Sequence, residues 1–157
     1  MTTYDDFLEH VRRLTTVGDV GEMLSWDQQV MMPPGGQPAR SKQQSAMSAL
    51  EHELLTDDAL AAYLDDVEEA ALDPGQRAVV REVRRKQRRA DRVSNDLVEE
   101  LSEATSNALP VWEDAKAESD FDAFAPTLER LVELKREYAR QIDPDRDPYE
   151  VLFEEYE

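Results

Sequence analysis

Apolar residues return every three or four positions along almost the whole chain, and no stretch alternates apolar with polar as a half-buried strand does. That single periodicity restricts the fold to an all-α one, with antiparallel helices joined by short connections. Tyr4, Phe7, Leu8, Val11 and Leu14 form a first stripe. The stretch Thr15-Thr16-Val17-Gly18-Asp19 reads as a break before a second helix over Met23, Leu24 and Trp26. Trp26, Val30 and the methionines are placed on a buried face, with Trp26 as a core anchor and Asp27 as a polar partner near the helix end. Pro33-Pro34 ends that helix, because proline lacks the N–H and clashes with the preceding turn, and Gly35-Gly36 turns the chain.

A third helix carries Met47, Leu50 and Leu54. Thr56-Asp57-Asp58 caps a short helix over Leu60, Tyr63, Leu64 and Val67. Asp73-Pro74 is a start signal, an N-cap before proline at the first helical position. Ser94-Asn95 opens a long helix from Leu97 to Ala115, in which Pro110 predicts a kink. Phe121 to Tyr138 make another helix, ended at Ile142-Asp143-Pro144, and Asp147-Pro148 opens a last short one. With 157 residues and no internal repeat, the chain reads as a single all-helical unit, residues 1–157.

Thirty-six acidic residues stand against 18 basic ones, a net charge of −18, and only Lys42, Lys86, Lys116 and Lys135 are lysines. Carboxylates hold water and salt screens their repulsion, so this surface reads as halophilic; an ordinary acidic protein is the alternative. Cysteine is absent, which excludes disulfides and thiolate metal sites. The N-terminus is acidic and amphipathic, unlike a secretion signal, and no apolar run nears the ~20 residues that span a bilayer. A cytoplasmic protein with no membrane partner is expected.

The segment from Pro74 to Arg92 gathers Arg77, Arg81, Arg84, Arg85, Lys86, Arg88, Arg89 and Arg92 with Glu82 and Asp91, a local +6. The remaining 34 acids and 10 bases give −24, which repels phosphate, and no aromatic residue is interleaved. Pairing with acidic neighbours such as Asp96, Glu99, Glu100 and Glu103 is therefore expected, and no nucleic-acid partner.

Of two histidines, His10 and His52, the second begins Glu51-His52-Glu53-Leu54-Leu55-Thr56, which starts like HExxH but has threonine at the second histidine position. A surface role is expected for His52. The pairs Asp65-Asp66, Glu68-Glu69 and Glu154-Glu155 read as solvated faces. Ser25 and Ser45 have no histidine at a recognisable spacing, and Pro-Pro-Gly-Gly is a connector with no strand before it to build a phosphate loop. No catalytic, cofactor-binding or metal-ligating residue is assigned to this chain.

The run SWDQQVMMPPGGQPARSKQQSAMSALEHELLT resembles the N-terminal region of the carboxypeptidase Taq family of zinc metallocarboxypeptidases. There a Trp-Asp helix end runs into Met-Pro-x-Gly-Gly and then an Arg-x-x-Gln helix. The matching positions are Trp26, Asp27, Gln28, Met32, Pro33, Gly35, Gly36, Arg40 and Gln43. AFAPTLERLVELKREYA (123–139) and DPYEVLFEEYE (147–157) are similar as well. Gln29-Val30-Met31 departs from the family's usual Glu-Thr-Tyr, and Pro110 interrupts a helix that the family leads one to expect as continuous. The resemblance implies the N-terminal helical part of a larger all-helical metallopeptidase that removes C-terminal amino acids from peptide substrates. Its zinc, or another divalent metal, would be held by an HExxH helix beyond Glu157, and a homodimer is implied.

Tyr149, Leu152, Phe153 and Tyr156 form an apolar stripe on the last helix, so a chain truncated at its C-terminus is expected, and one that self-associates there. A reading of another class is a free-standing acidic helical module that binds a protein partner; an RNA-binding bundle is a third.

Overall fold

The computed structural model describes residues 3–67 and 71–155. Among these residues seven α-helices follow in order: α1 (Thr3–Val30), α2 (Gln37–Leu55), α3 (Asp58–Asp66), α4 (Pro74–Ala90), α5 (Asn95–Glu118), α6 (Phe121–Ile142) and α7 (Pro148–Phe153). A 3-10 turn at Pro34–Gly36 leads into α2. No strand occurs among the described residues. Glu68-Glu69 and Tyr156 lie outside them.

The starts follow local chemistry. The Asp57 carboxylate accepts from Ala59 N at 2.8 Å, and Asp73 and Gln76 form a reciprocal capping box. Ser94 accepts from Leu97 N at 3.4 Å and Asp147 from Tyr149 N at 2.8 Å. Between α5 and α6 the chain reverses in two residues. Ser119 adopts the left-handed conformation (φ 55°) while Asp120 caps α6 through Ala123 N at 3.1 Å.

The break expected at Thr15–Asp19 does not occur, and α1 runs on for 28 residues. Thr15 and Thr16 return their hydroxyls to the carbonyls of Val11 and Arg12 at 2.9 and 2.8 Å, so neither competes for the backbone ladder. A mid-helix glycine costs about 1 kcal/mol against alanine, and packing of α1 on both α2 and α3 overrides that at Gly18 and Gly21.

Two apolar clusters form the core. Phe7, Leu60, Leu64, Val67, Val80 and Val83 join α1, α3 and α4. Val93, Leu97, Leu134, Ala139, Ile142 and Val151 join α5, α6 and α7. Helix α2 packs on α1 and, most extensively, on α5 through small and polar side chains. There Ser45 donates to Glu99 O at 3.3 Å, and Ser48 donates to the Ser102 hydroxyl at 2.9 Å.

The face of α1 expected to be buried is turned outward: Met23, Trp26, Val30 and Met31 are all exposed. Trp26 is no core anchor. The residues α1 buries are Phe7, Leu14 and Gln28, because α2 and α3 lie on the other side of the helix. On α7, Val151 is the buried residue, while Tyr149 and Phe153 stack on each other in the open with centroids 6.0 Å apart.

Candidate functional site

The segment that carries the family-like positions is a polar lock. Arg40, at the start of α2, donates to the carboxylate of Asp27 and to Leu24 O, and its Nε donates to Gln43 Oε1 at 3.1 Å. This pair is sheltered unevenly, with the Arg40 side chain 11% and the Asp27 side chain 37% exposed. Gly36 is required by space and not by its torsion angle: an added Cβ would sit 2.8 Å from Met32 Cγ. Asp27, Gly36, Arg40 and Gln43 therefore hold the α1–α2 turn to one shape.

Pro110 completes the lock. A proline cannot return an N–H to the carbonyl four residues earlier, so Ser106 O is left without its intrahelical partner although α5 runs through from Asn95 to Glu118. Two side-chain amides take that place. Gln28 Nε2 donates to Ser106 O at 2.9 Å and Gln37 Nε2 donates to it at 2.8 Å, while Gln28 Nε2 also reaches Gln37 Oε1 at 2.9 Å. Both Gln28 and Ser106 are buried. The proline that interrupts the helix ladder thereby creates the acceptor that ties α1 and α2 to α5.

The basic helix is also occupied inside the fold, but not by the acids expected. Helix ends leave carbonyls without partners, and cations suit that end of the helix dipole. Arg84 donates to Leu64 O at 2.7 Å, Arg89 to Val151 O at 2.8 Å and Arg92 to Ile142 O at 2.8 Å, in the last turns of α3, α7 and α6. Arg89 also pairs with Glu154 and Glu155, and Arg85 pairs with Glu82. Glu100, expected to face these arginines, pairs instead with Arg130.

Both histidines serve in the same way. His10 Nε2 donates to Leu54 O at 2.8 Å and His52 Nε2 to Ala90 O at 3.1 Å, at the ends of α2 and α4. His52 is half-buried and not a surface residue, since α4 lies across it.

An open cleft of about 890 Å³ runs between α1, α2, α4 and α5, with Gly18, Gly21, Glu51, His52, Ser102 and Thr105 along it. Glu51 is exposed as a whole residue, yet its carboxyl is pushed above its ordinary range, first by partial loss of water where it rests by Gly18, with Lys86 opposing and Glu22 adding to the rise. A carboxyl that holds its proton more tightly folded than unfolded makes stability fall as pH rises from the ordinary carboxylate value through the raised one. Urea midpoints measured across that window should therefore decline for the native chain. Glu51→Gln should lessen the decline and raise the midpoint at pH 7.

Among the described residues no three of His, Cys, Asp and Glu gather as a metal would need. No helix among them is long and apolar enough to cross a membrane.

Thermostable carboxypeptidase 1 of Pyrococcus furiosus is 34% identical over 159 residues, covering 99% of this chain and 31% of that protein. Thermostable carboxypeptidase 1 of Thermus thermophilus is 32% identical, covering 96% of this chain and 31% of that protein. The crystal structure of BsuCP superposes with a TM-score of 0.92 over 98% of this chain and 31% of its own, at 22% identity, a likeness of fold. The chain thus spans about a third of the length of the relatives it matches. Residues 6–157 match the family model of carboxypeptidase Taq (M32) metallopeptidase, and the chain belongs to that family.

Proposed function

We propose that this chain is the N-terminal third of a metal-dependent carboxypeptidase that hydrolyses C-terminal amino acids from peptides, and that its helices wall or cover the substrate cleft. The observation that carries the reading is the family match over residues 6–157 in a chain that spans 31% of its curated relatives. Among the described residues the side chains offer no ligand set that fits a metal. Both histidines are spent on helix-end carbonyls, cysteine is absent, and no acidic cluster replaces them among the described residues. No step of the hydrolysis is therefore assigned to this chain. A divalent metal in the remaining sequence would supply an activated water.

A polypeptide with residues 1–157 at its N-terminus and the metal-ligand helix beyond them is expected to release the C-terminal residue of a blocked dipeptide. Chelation should abolish that activity and zinc should restore it. Residues 1–157 alone are expected to release nothing and to keep no stoichiometric zinc after dialysis. One tightly held zinc per isolated chain would overturn the assignment.

A cytoplasmic homodimer belongs to the same reading through the family resemblance, and adaptation to brine is supported by the net charge of −18 and the four lysines. Molar potassium chloride should raise the melting temperature markedly over dilute buffer, by screening self-repulsion. A flat or falling melting temperature would remove the adaptation to salt.

A further inference from the structure

One face of α1 changes character halfway along its length. Its first part presents Glu9, Arg12, Arg13 and Thr16 to solvent, as an exposed helical face ordinarily does. Its last three turns present Val20, Met23, Trp26 and Val30 at spacings of three, three and four, which keeps them on that same face, and Met31 follows at the helix end. Exposure is 64% at Met23, 58% at Trp26, 57% at Val30 and 66% at Met31. The second tryptophan, Trp112, is also exposed but carries the Lys116 ammonium 4.6 Å from its ring, whereas among the described residues no cation or ring stacks on Trp26.

The polar lock sits directly behind this face. Arg40 and Gln28 grip the helix end from the inner side, so the outer side is held rigid and costs little to order on contact. A rigid, contiguous apolar helical face that includes a tryptophan marks an interaction surface.

We infer that the Val20–Met31 face of α1 is the seat for an apolar helical surface of the remaining two thirds of the metallocarboxypeptidase; the inference rests on the function proposed above. The length of the relatives supports this occupant, since about two thirds of a family-length protein lies beyond what this chain covers. Charge disfavours a second copy. Each chain carries −18, and Asp19 and Glu22 border the face, so a two-fold contact at this face brings like charges together.

The test uses Trp26 as its own reporter, with Trp112→Phe in every sample. In residues 1–157 alone, Trp26 emission is expected to be red and freely quenched by acrylamide, the chain to sediment as a species that leaves Trp26 open, and Trp26→Ser to leave the melting temperature unchanged. In the family-length polypeptide the emission is expected to shift to the blue and quenching to fall several-fold. There Trp26→Ser together with Met23→Ser is expected to lower the melting temperature by several degrees. A Trp26 that stays red and quenchable in a family-length protein with peptidase activity overturns this inference and leaves the function standing. A family-length protein without peptidase activity overturns the function, whatever Trp26 reports. Shielding of Trp26 in a dimer of the isolated chain assigns the face to a second copy and overturns the inference.

Discussion

Replacing both Gln28 and Gln37 by leucine is expected to destabilise the chain by about 3 kcal/mol, and Pro110→Ala is expected to recover part of that loss only where the glutamines are gone. The carbonyl of Ser106 is buried and lacks an intrahelical donor because residue 110 is proline. Its hydrogen bonds come from Gln28 and Gln37. Leaving such an acceptor unpaired costs about 1–3 kcal/mol, and the exchange between the two amides is lost as well. Alanine at 110 restores an N–H to the ladder, so it supplies the missing donor in the double variant but competes with existing donors in the native chain. The three substitutions should therefore couple by at least about 1 kcal/mol in a thermodynamic cycle read from urea midpoints. Additivity within about 0.5 kcal/mol would show that the glutamines and the proline act independently.

Phe7→Ala is expected to cost about 3–5 kcal/mol, a large fraction of the stability of a domain this size, while Trp26→Ala should cost the isolated chain less than about 0.5 kcal/mol. The contrast follows from where each ring lies. Phe7 is 0% exposed, at the centre of the cluster that joins α1 to α3 and α4, with Tyr4 tilted against it at 5.8 Å. Trp26 lies on the outer face of the same helix. Removing Phe7 leaves a cavity bounded by three helices and separates them, whereas removing Trp26 exchanges one solvated surface for another. Circular-dichroism melts of both variants decide the matter. A large loss at Trp26 in the isolated chain would mean that its ring is covered there.

The two results bear on different parts of the protein. The lock sets the shape of the α1–α2 turn against α5, and Phe7 sets the docking of α1 on α3 and α4. Neither touches the outer face of α1, so variants there remain a clean report on what that face meets in a longer polypeptide.

What sequence alone determined was whatever the chain decides within one helical turn. Asp57, Asp73, Ser94 and Asp147 cap their helices as their spacing predicts, because an N-cap needs only its own side chain and a backbone N–H two or three residues on. The all-α class followed from a periodicity that each segment carries by itself, and the family from the Trp26–Gln43 positions read as a set. Tertiary structure alone decided which way each stripe points. A period of 3.6 states that Trp26 and Val30 share a face with Met23, but the inward face is the one that α2 and α3 cover, and theirs is the other side of α1. It also decided who answers whom. Arg84, Arg89, Arg92, His10 and His52 find carbonyls at helix ends 20 to 62 residues away in sequence, and Ser106 O finds Gln28 across 78. A carbonyl orphaned by a helix end or a proline is visible in the sequence; the donor that reaches it is set by how the helices cross, which no local pattern contains.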